Sequence, residues 1–132
     1  KNDDWIFMPT ELSNDGKFLQ TAILSGEIFA VIEETTPPNL TNLIPDINGK
    51  YYSGDLEHLT LDISDIYPGI DGENDVEILV DGKKIIFEYN SYQKKIRYPF
   101  KTNLSRGTHK IFIQAKDYLG NRTKVEGEFF VK

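Results

Sequence analysis

The residues of this chain that could do chemistry are few and widely spaced. It has two histidines, His58 and His109, and no cysteine. A catalytic zinc needs about three protein ligands close together, and both histidines fall at polar positions of strand-like patterns, which predicts solvated strand residues. There is no Gly-x-Ser-x-Gly elbow for a nucleophilic serine. We therefore predict no catalytic residue, no cofactor and no enzymatic activity for this chain.

The densest group of carboxylates runs from Asp62 to Asp75. Loop oxygens of this kind can bind calcium, but the segment does not fit the EF-hand motif. Counted from Asp71, the sixth position is Val76, where the motif requires glycine. Asp and Asn in turns also cap local backbone groups. The sequence predicts turn chemistry here and no metal site, with calcium-assisted binding as the alternative.

The charge and the lengths of the apolar runs argue against a nucleic-acid partner and against a membrane-spanning helix. The chain carries 15 Lys and Arg against 21 Asp and Glu, for a net charge of −6. A nucleic-acid partner would require a basic stripe, and the short cluster of Lys94, Lys95 and Arg97 is interpreted as a solvated face. No apolar run reaches the ~18 residues of a membrane helix. We predict no nucleic-acid partner and no membrane span.

The elements that would position any site are strands. From residue 39 onward, apolar and polar residues alternate in short runs separated by turn residues. The candidate strands are Leu40 to Ile44 and the runs at 59–63, 76–80, 85–89, 96–100, 111–115 and 125–131. Seven short strands over this length are typical of a β-sandwich.

Two turns have a recognisable mechanism. Asp81-Gly82 predicts a primed two-residue hairpin turn, which needs positive φ. At the last hairpin, Gly120 predicts a left-handed residue, and Asp117 and Asn121 are expected to accept backbone donors across the turn.

Two consecutive prolines separate the first part of the chain from the rest. Residues 1–33 contain strand-like runs at 17–24 and 27–32, and Pro37-Pro38 follows them. Consecutive prolines force extended backbone. We therefore predict two regions, an N-terminal β segment at 1–33 and a sandwich at 34–132.

The second region resembles bacterial immunoglobulin-like modules. The matching pieces are Thr36-Pro37-Pro38, Pro68-Gly69-Ile70, Asp75 to Lys83, Leu104 to His109 and Ala115 to Asn121. The resemblance implies an all-β, immunoglobulin-like antiparallel β-sandwich of about seven strands. The segment from Ser25 to Pro38 looks like the last strand of a preceding β-module. The whole arrangement is similar to the C-terminal accessory region of exported lysostaphin-type zinc peptidases, which implies that the parent protein is a peptidase.

Four apolar residues occupy strand positions that should point to water. In an immunoglobulin-like sandwich, strands C, C′, F and G share one sheet, so their outward side chains would form one patch. Such a patch usually marks an interface, although single apolar surface residues are common. The predicted interface residues are Leu79, Ile86, Phe112 and Phe130.

These observations predict a non-catalytic accessory or spacer module of a larger exported bacterial protein, in the periplasm, on the cell surface or secreted. Its expected partners are neighbouring domains of the same chain. The alternative is an adhesin-like module that binds glycan or protein at the cell envelope. Amphipathic aromatic rings suit wet binding sites, and the candidates are Tyr51, Tyr52, Tyr67, Tyr92 and Tyr118.

Overall fold

A computed structural model describes residues 8–23, 28–65, 70 and 72–132. The chain divides into two compact units, Lys1–Glu34 and Thr35–Lys132. In the described part of the first unit, β1 (Glu11–Leu12) pairs antiparallel with β2 (Leu19–Gln20). The expected strands at 17–24 and 27–32 are shorter or absent there, since residues 28–32 form no strand and Ser25 and Gly26 lie outside the described residues. The assignment of this unit to a preceding β-module stays a prediction.

The second unit is built from two sheets. Its strands are β3 (Asn39–Ile44), β4 (Lys50–Tyr51), β5 (His58–Ser64), β6 (Val76–Val80), β7 (Lys83–Lys84), β8 (Glu88–Asn90), β9 (Lys95–Pro99), β10 (Gly107–Lys116) and β11 (Arg122–Val131). One sheet has the order β4–β11–β10–β6–β7, and the other has the order β3–β5–β9–β8. All pairs are antiparallel except β4 with β11, which makes the first sheet mixed. This unit has two strands more than the seven expected, namely β4 and β7. Each has only two residues, which is too short to show an alternating pattern in the sequence.

The alternation seen in the sequence reports which side chains enter the core. In β5, Leu59, Leu61 and Ile63 are buried while the residues between them are half-buried. The same pattern holds in β6, β9 and β10. Burying one large apolar side chain stabilises a fold by about 1.5–3 kcal/mol. The buried apolar residues form one cluster: Leu56, Leu59, Leu61, Ile63, Val76, Ile78, Val80, Ile85, Phe87, Ile96, Ile111, Ile113, Ala115, Phe129 and Val131.

The run at 85–89 is not the single strand that its alternation predicted. The chain leaves the five-stranded sheet after Lys84 and joins the four-stranded sheet at Glu88. Ile85 and Phe87 are buried on the way, and Ile86 points outward with 87% of its surface exposed. The alternation of apolar and polar residues therefore predicts which side chains are buried, but it does not predict which sheet a segment hydrogen-bonds to.

The outer edge of β11 is covered by the segment that precedes β4. Asn48 donates its backbone N–H to the Glu128 carbonyl at 2.7 Å, and Phe130 donates to the Gly49 carbonyl at 2.9 Å. This pairing covers residues 128–131 of β11, which reduces edge-to-edge aggregation along that part of the strand.

Among the described residues, no helix is long and apolar enough to cross a membrane. The one helical element there is a short 3-10 turn at Gly72–Asn74.

Candidate functional site

The side chains that alternate with the core residues of the five-stranded sheet form its outer face. Near the middle of this face, Phe112 of β10 lies directly opposite Leu79 of β6 on one side and Glu126 of β11 on the other. Both apolar side chains are half-buried. The face comprises Lys50, Glu77, Leu79, Lys84, Thr108, Lys110, Phe112, Gln114, Lys116, Arg122, Lys124, Glu126, Glu128 and Phe130.

A lysine covers part of the Phe112 ring. The Lys124 Nζ lies 5.2 Å from the ring centroid, within the range of a cation–π contact. The same ammonium is 2.8 Å from Glu126 Oε2, and this hydrogen bond lowers the pKa of the Glu126 carboxyl. The apolar centre of the outer face is therefore bordered by charged groups that hold each other in place.

The structure brings together two of the four predicted interface residues. Phe130 lies opposite Thr108, and the Lys110–Glu128 pair separates it from the row of Phe112. Ile86 is not on this sheet, because it belongs to the crossing between β7 and β8. Leu79 and Phe112 are thus neighbours, whereas Phe130 and Ile86 stand apart from them. The role of these residues as an interface remains a prediction.

His109 was predicted to be a solvated strand residue, and this is wrong. It faces inward on β10 with 5% of its surface exposed, and its ring stacks on Phe129 at a centroid distance of 5.3 Å. Its Nδ1 lies 2.7 Å from Asp81 Oδ2 and its Nε2 lies 2.8 Å from the Ser105 carbonyl oxygen. The polar position in the alternation was correctly identified as a strand, but its side chain is satisfied inside the fold.

The partners of His109 determine its protonation state. A carboxylate and a carbonyl only accept hydrogen bonds, so both ring nitrogens must donate, which only the imidazolium cation can do. Burial opposes this charge, yet the bonds to Ser105 and Asp81 outweigh it and raise the pKa of His109 above its ordinary 6.5. Burial also acts against the charged form of Asp81, but the His109 ring and the Lys110 N–H, 2.8 Å from Asp81 Oδ1, lower its pKa.

His58 has a different environment although its sequence context looked similar. It lies half-buried on β5, and the Arg97 guanidinium donates from Nη2 to His58 Nε2 at 2.8 Å. The two histidines are therefore on strands of opposite sheets, each with its own protein partner. Neither presents a free ring nitrogen pair to a substrate or metal.

The predicted turn at the last hairpin is confirmed. Gly120 has a φ of +90°. Asp117 is buried, with 2% of its surface exposed, and it accepts the Asn121 backbone N–H at 2.8 Å and the Asn121 side-chain amide at 2.7 Å. The hairpin turn at 81–82 is likewise confirmed, with φ of +50° at Asp81 and +75° at Gly82.

The first residue of the acidic segment, Asp62, lies on β5 and contacts residues that are distant in sequence. Asp62 accepts a 2.7 Å hydrogen bond from the Asn42 amide, which lowers its pKa, and its other oxygen lies 3.5 Å from Lys95 Nζ. Residues 66–69 and 71 lie outside the described residues. Within the second unit, carboxylate oxygens of Asp65 and Asp117 lie within 4.8 Å of each other. Two carboxylates supply fewer than the six to eight oxygens that calcium takes, so a calcium site stays a prediction.

The tyrosines predicted for glycan binding do not form one site in the described structure. Tyr51 is half-buried and packs edge-on against Phe129, while Tyr92 is fully exposed at the β8–β9 turn. Tyr52 lies beside Lys132 after the end of β11, and Tyr118 lies in the turn before its start. Tyr52 and Tyr118 are therefore at opposite ends of β11, and a ten-residue strand spans about 30 Å. Tyr67 lies outside the described residues.

No protein-family model matches the sequence, and a search of curated proteins finds no relative. Solved structures do match. CopC from Methylosinus trichosporium OB3b superposes with a TM-score of 0.56 at 13% identity, over 72% of this chain and 93% of that one. PcoC, a methionine-rich copper resistance protein from Escherichia coli, has a TM-score of 0.54 at 14% identity, over 74% of this chain and all of that one. Dimeric latent PorU from Porphyromonas gingivalis has a TM-score of 0.51 at 16% identity, over 87% of this chain and 12% of that one.

At these identities the similarity concerns the fold. It confirms the predicted all-β, immunoglobulin-like β-sandwich. None of these three neighbours is a lysostaphin-type peptidase, so they do not support that similarity, which stays a prediction.

Proposed function

We propose that this chain is a non-catalytic contact module of a larger exported bacterial protein, and that it contacts its partner through the outer face of the five-stranded sheet. The observation that carries the proposal is the Leu79–Phe112 pair at the centre of that face. A phenylalanine and a leucine directly opposite each other on a solvent-facing sheet keep apolar area available for burial by a partner.

The engagement of both histidines within the fold supports a non-catalytic role. A general base needs a ring nitrogen or carboxylate within reach of a substrate proton. Among the described residues, His109 uses both ring nitrogens inside the fold, and His58 accepts from Arg97. The PorU similarity adds an example in which this fold makes up a small part of a much longer chain.

Copper binding is not part of the proposal, although PcoC is described as a methionine-rich copper resistance protein. Soft thiolate and thioether ligands select Cu(I), and imidazole suits Cu(II). This chain has one methionine and no cysteine, and the ring nitrogens of His109 are held by Asp81 and Ser105. The donor set therefore does not fit that ligand.

Site-specific photocrosslinking tests the proposal directly. A photoreactive phenylalanine analogue is placed at Phe112 in the native-length protein in its own cell envelope, and crosslinked products are identified by mass spectrometry. The matched control is the same analogue at Ile86, which is exposed but off the outer face. We expect one defined adduct from position 112 that disappears when Leu79→Ser is added. Identical products from positions 112 and 86 would contradict the proposal.

The alternative, a glycan-binding module assisted by calcium, makes a different prediction. Binding to isolated cell-wall glycan would then depend on Tyr92, the most exposed of the candidate aromatic residues. A Tyr92→Ala variant that loses glycan binding, together with an effect of chelator on wild-type protein, would favour this function over the first.

A further inference from the structure

The outer face of the five-stranded sheet differs in charge from the rest of the molecule. It carries six cationic side chains, namely Lys50, Lys84, Lys110, Lys116, Arg122 and Lys124, and three carboxylates, namely Glu77, Glu126 and Glu128. This is a formal charge of +3. The whole chain has a formal charge of −6, so the remainder carries −9. Six of the 15 cationic side chains thus lie on the face that also holds Phe112, and there they outnumber the carboxylates.

The outer face of the four-stranded sheet shows that this is not a general property of the strands. Its cross-strand rows place Lys95 between Asp62 and Asn90, and Arg97 between Thr60 and Glu88. Two cations meet two carboxylates there, and Lys95 Nζ lies 3.5 Å from Asp62 Oδ1. The second sheet is therefore neutral on its outer side and carries no aromatic ring in these rows.

Two cations of the outer face, Lys110 and Arg122, form no ion pair at contact distance with a described residue, although Glu128 lies directly opposite Lys110. Glu77 lies 3.5 Å from Lys84, and Glu126 lies 2.8 Å from Lys124. Among the described residues, neither Lys110 nor Arg122 has a carboxylate oxygen within 4.0 Å. Arg122 is instead directly opposite Lys116 on β10. Like charges at opposing positions destabilise a sheet. Asp75 Oδ1, 4.0 Å from Lys116 Nζ, offsets part of this repulsion, and a carboxylate supplied by a partner beside Arg122 would relieve the rest.

From this we infer that the partner of the outer face is an acidic protein segment that carries an apolar side chain among its carboxylates. The apolar side chain would cover Phe112 and Leu79, and the carboxylates would meet Lys110, Arg122 and their neighbours. The inference rests on the proposed function and names the chemistry of the partner. Charge complementarity of this kind chiefly raises the association rate and selects among partners.

A polypeptide fits this face better than an anionic polysaccharide. A phosphate or uronate polymer would satisfy the cations, but it would leave the Leu79–Phe112 pair without an aliphatic or aromatic contact. The half-buried pair at the centre of the cations therefore favours a chain that alternates acidic and apolar side chains.

The test uses the whole protein labelled with ¹⁵N and a random copolymer of glutamate and tyrosine as the probe. Amide shifts are followed in the nuclear magnetic resonance spectrum, and affinity is measured at two salt concentrations. We expect shifts at residues of the outer face, and weaker binding at high salt because exposed charges are screened. The Lys110→Glu, Arg122→Glu double variant should bind about tenfold more weakly. The matched control, Lys94→Glu with Lys101→Glu, changes net charge equally at exposed sites off this face.

The outcomes separate the two proposals. Equal loss of affinity in the control and the face variant would overturn the inference, because net charge alone would then explain binding. Tighter binding of polygalacturonate than of the copolymer at this face would also overturn it, in favour of an anionic glycan. A partner crosslinked from position 112 whose binding is insensitive to the double charge reversal would leave the contact module standing and refute the acidic partner. No defined crosslink from position 112 would refute the contact module itself.

Discussion

Two turns at opposite ends of β10 use the same device with different chemistry. In each, an aspartate accepts two hydrogen bonds: Asp117 from the other side of its own turn, and Asp81 from the neighbouring strand β10. Asp117 is buried and directs both oxygens to Asn121. Asp81, with a side chain that is 44% exposed, directs one oxygen to the Lys110 N–H and the other to the His109 ring.

The two turns differ in the partner of the aspartate: Asn121 does not titrate, whereas His109 does. The Asn121 amide is neutral at every pH of interest, so the Asp117 turn depends on one carboxylate alone. The Asp81 turn depends on a carboxylate and an imidazolium together, and it also holds the Ser105 carbonyl through that ring. The Asp81 end of the module should therefore weaken as the solution becomes alkaline.

The largest expected effect is at Asp117. Asp117→Ala removes the acceptor of two donors in a buried turn, and the free energy of unfolding should fall by about 3 kcal/mol. Urea denaturation at pH 7 measures it. The control is Asp55→Ala, at an exposed position, which should change stability by less than about 0.5 kcal/mol. Equal midpoints for the two variants would show that Asp117 does not organise the turn.

The next effect is at His109. His109→Ala removes two charge-assisted hydrogen bonds and the stacking on Phe129, and should cost about 2 kcal/mol at pH 6. The comparison is His58→Ala, whose half-buried ring has one partner, Arg97, and which should cost about 0.5–1 kcal/mol. The prediction fails if the two histidine variants are equally stable.

The pH dependence of the His109 effect distinguishes the two turns. The folded-state pKa of His109 is raised, so its contribution is fully present below its ordinary pKa of 6.5 and is lost as the pH rises through the folded-state value. The folded-state pKa of Asp81 is lowered, so its contribution is present above its ordinary 3.8 and is lost only as the pH falls through its folded-state value. The difference in stability between wild type and His109→Ala should shrink from pH 6 to pH 9.

Titration of His109 followed by nuclear magnetic resonance gives an independent check. Its pKa should lie above 6.5 in the wild type and fall in Asp81→Asn. A His109 that titrates below 6.5 would contradict the imidazolium assignment.

The smallest effect is expected at the two glycines, where the turns should behave alike. Gly82 and Gly120 have φ of +75° and +90°, and a Cβ at either position would meet nothing within 4 Å. The cost of Gly→Ala is therefore one of backbone conformation, about 1 kcal/mol at each. Gly→Asn should cost less, because asparagine tolerates the left-handed region. A cost of Gly→Ala that differs strongly between the two turns would point to contacts rather than to φ.

Most of the strand positions could be predicted because alternation and turn chemistry are local. Leu59, Leu61 and Ile63 are read correctly as inward-facing because neighbouring side chains on a strand point to opposite faces. The same alternation explains why residues 85–89 were wrongly predicted to be a single strand. Ile85 and Phe87 enter the core while the chain passes between sheets, so their burial pattern matches that of a strand.

The candidate site was predictable only in part. The outward positions of Leu79 and Phe112 follow from alternation, whereas their direct opposition depends on the β6–β10 register. The cluster of cations on the outer face likewise depends on how the strands pair. The sequence shows a net negative chain, and only the pairing of β4, β11, β10, β6 and β7 gathers six cations on one face.

By itself, the sequence determined the all-β architecture, the inward residues and the two glycine-containing turns, because each depends on residues a few positions apart. Tertiary structure alone decided that His109 is a buried cation, that Ile86 leaves the sheet of Phe112, and that Leu79 lies opposite Phe112. Each of these depends on a partner far away in the chain, such as Asp81 for His109. Strand register and sheet membership bring such residues together, and no local pattern encodes them.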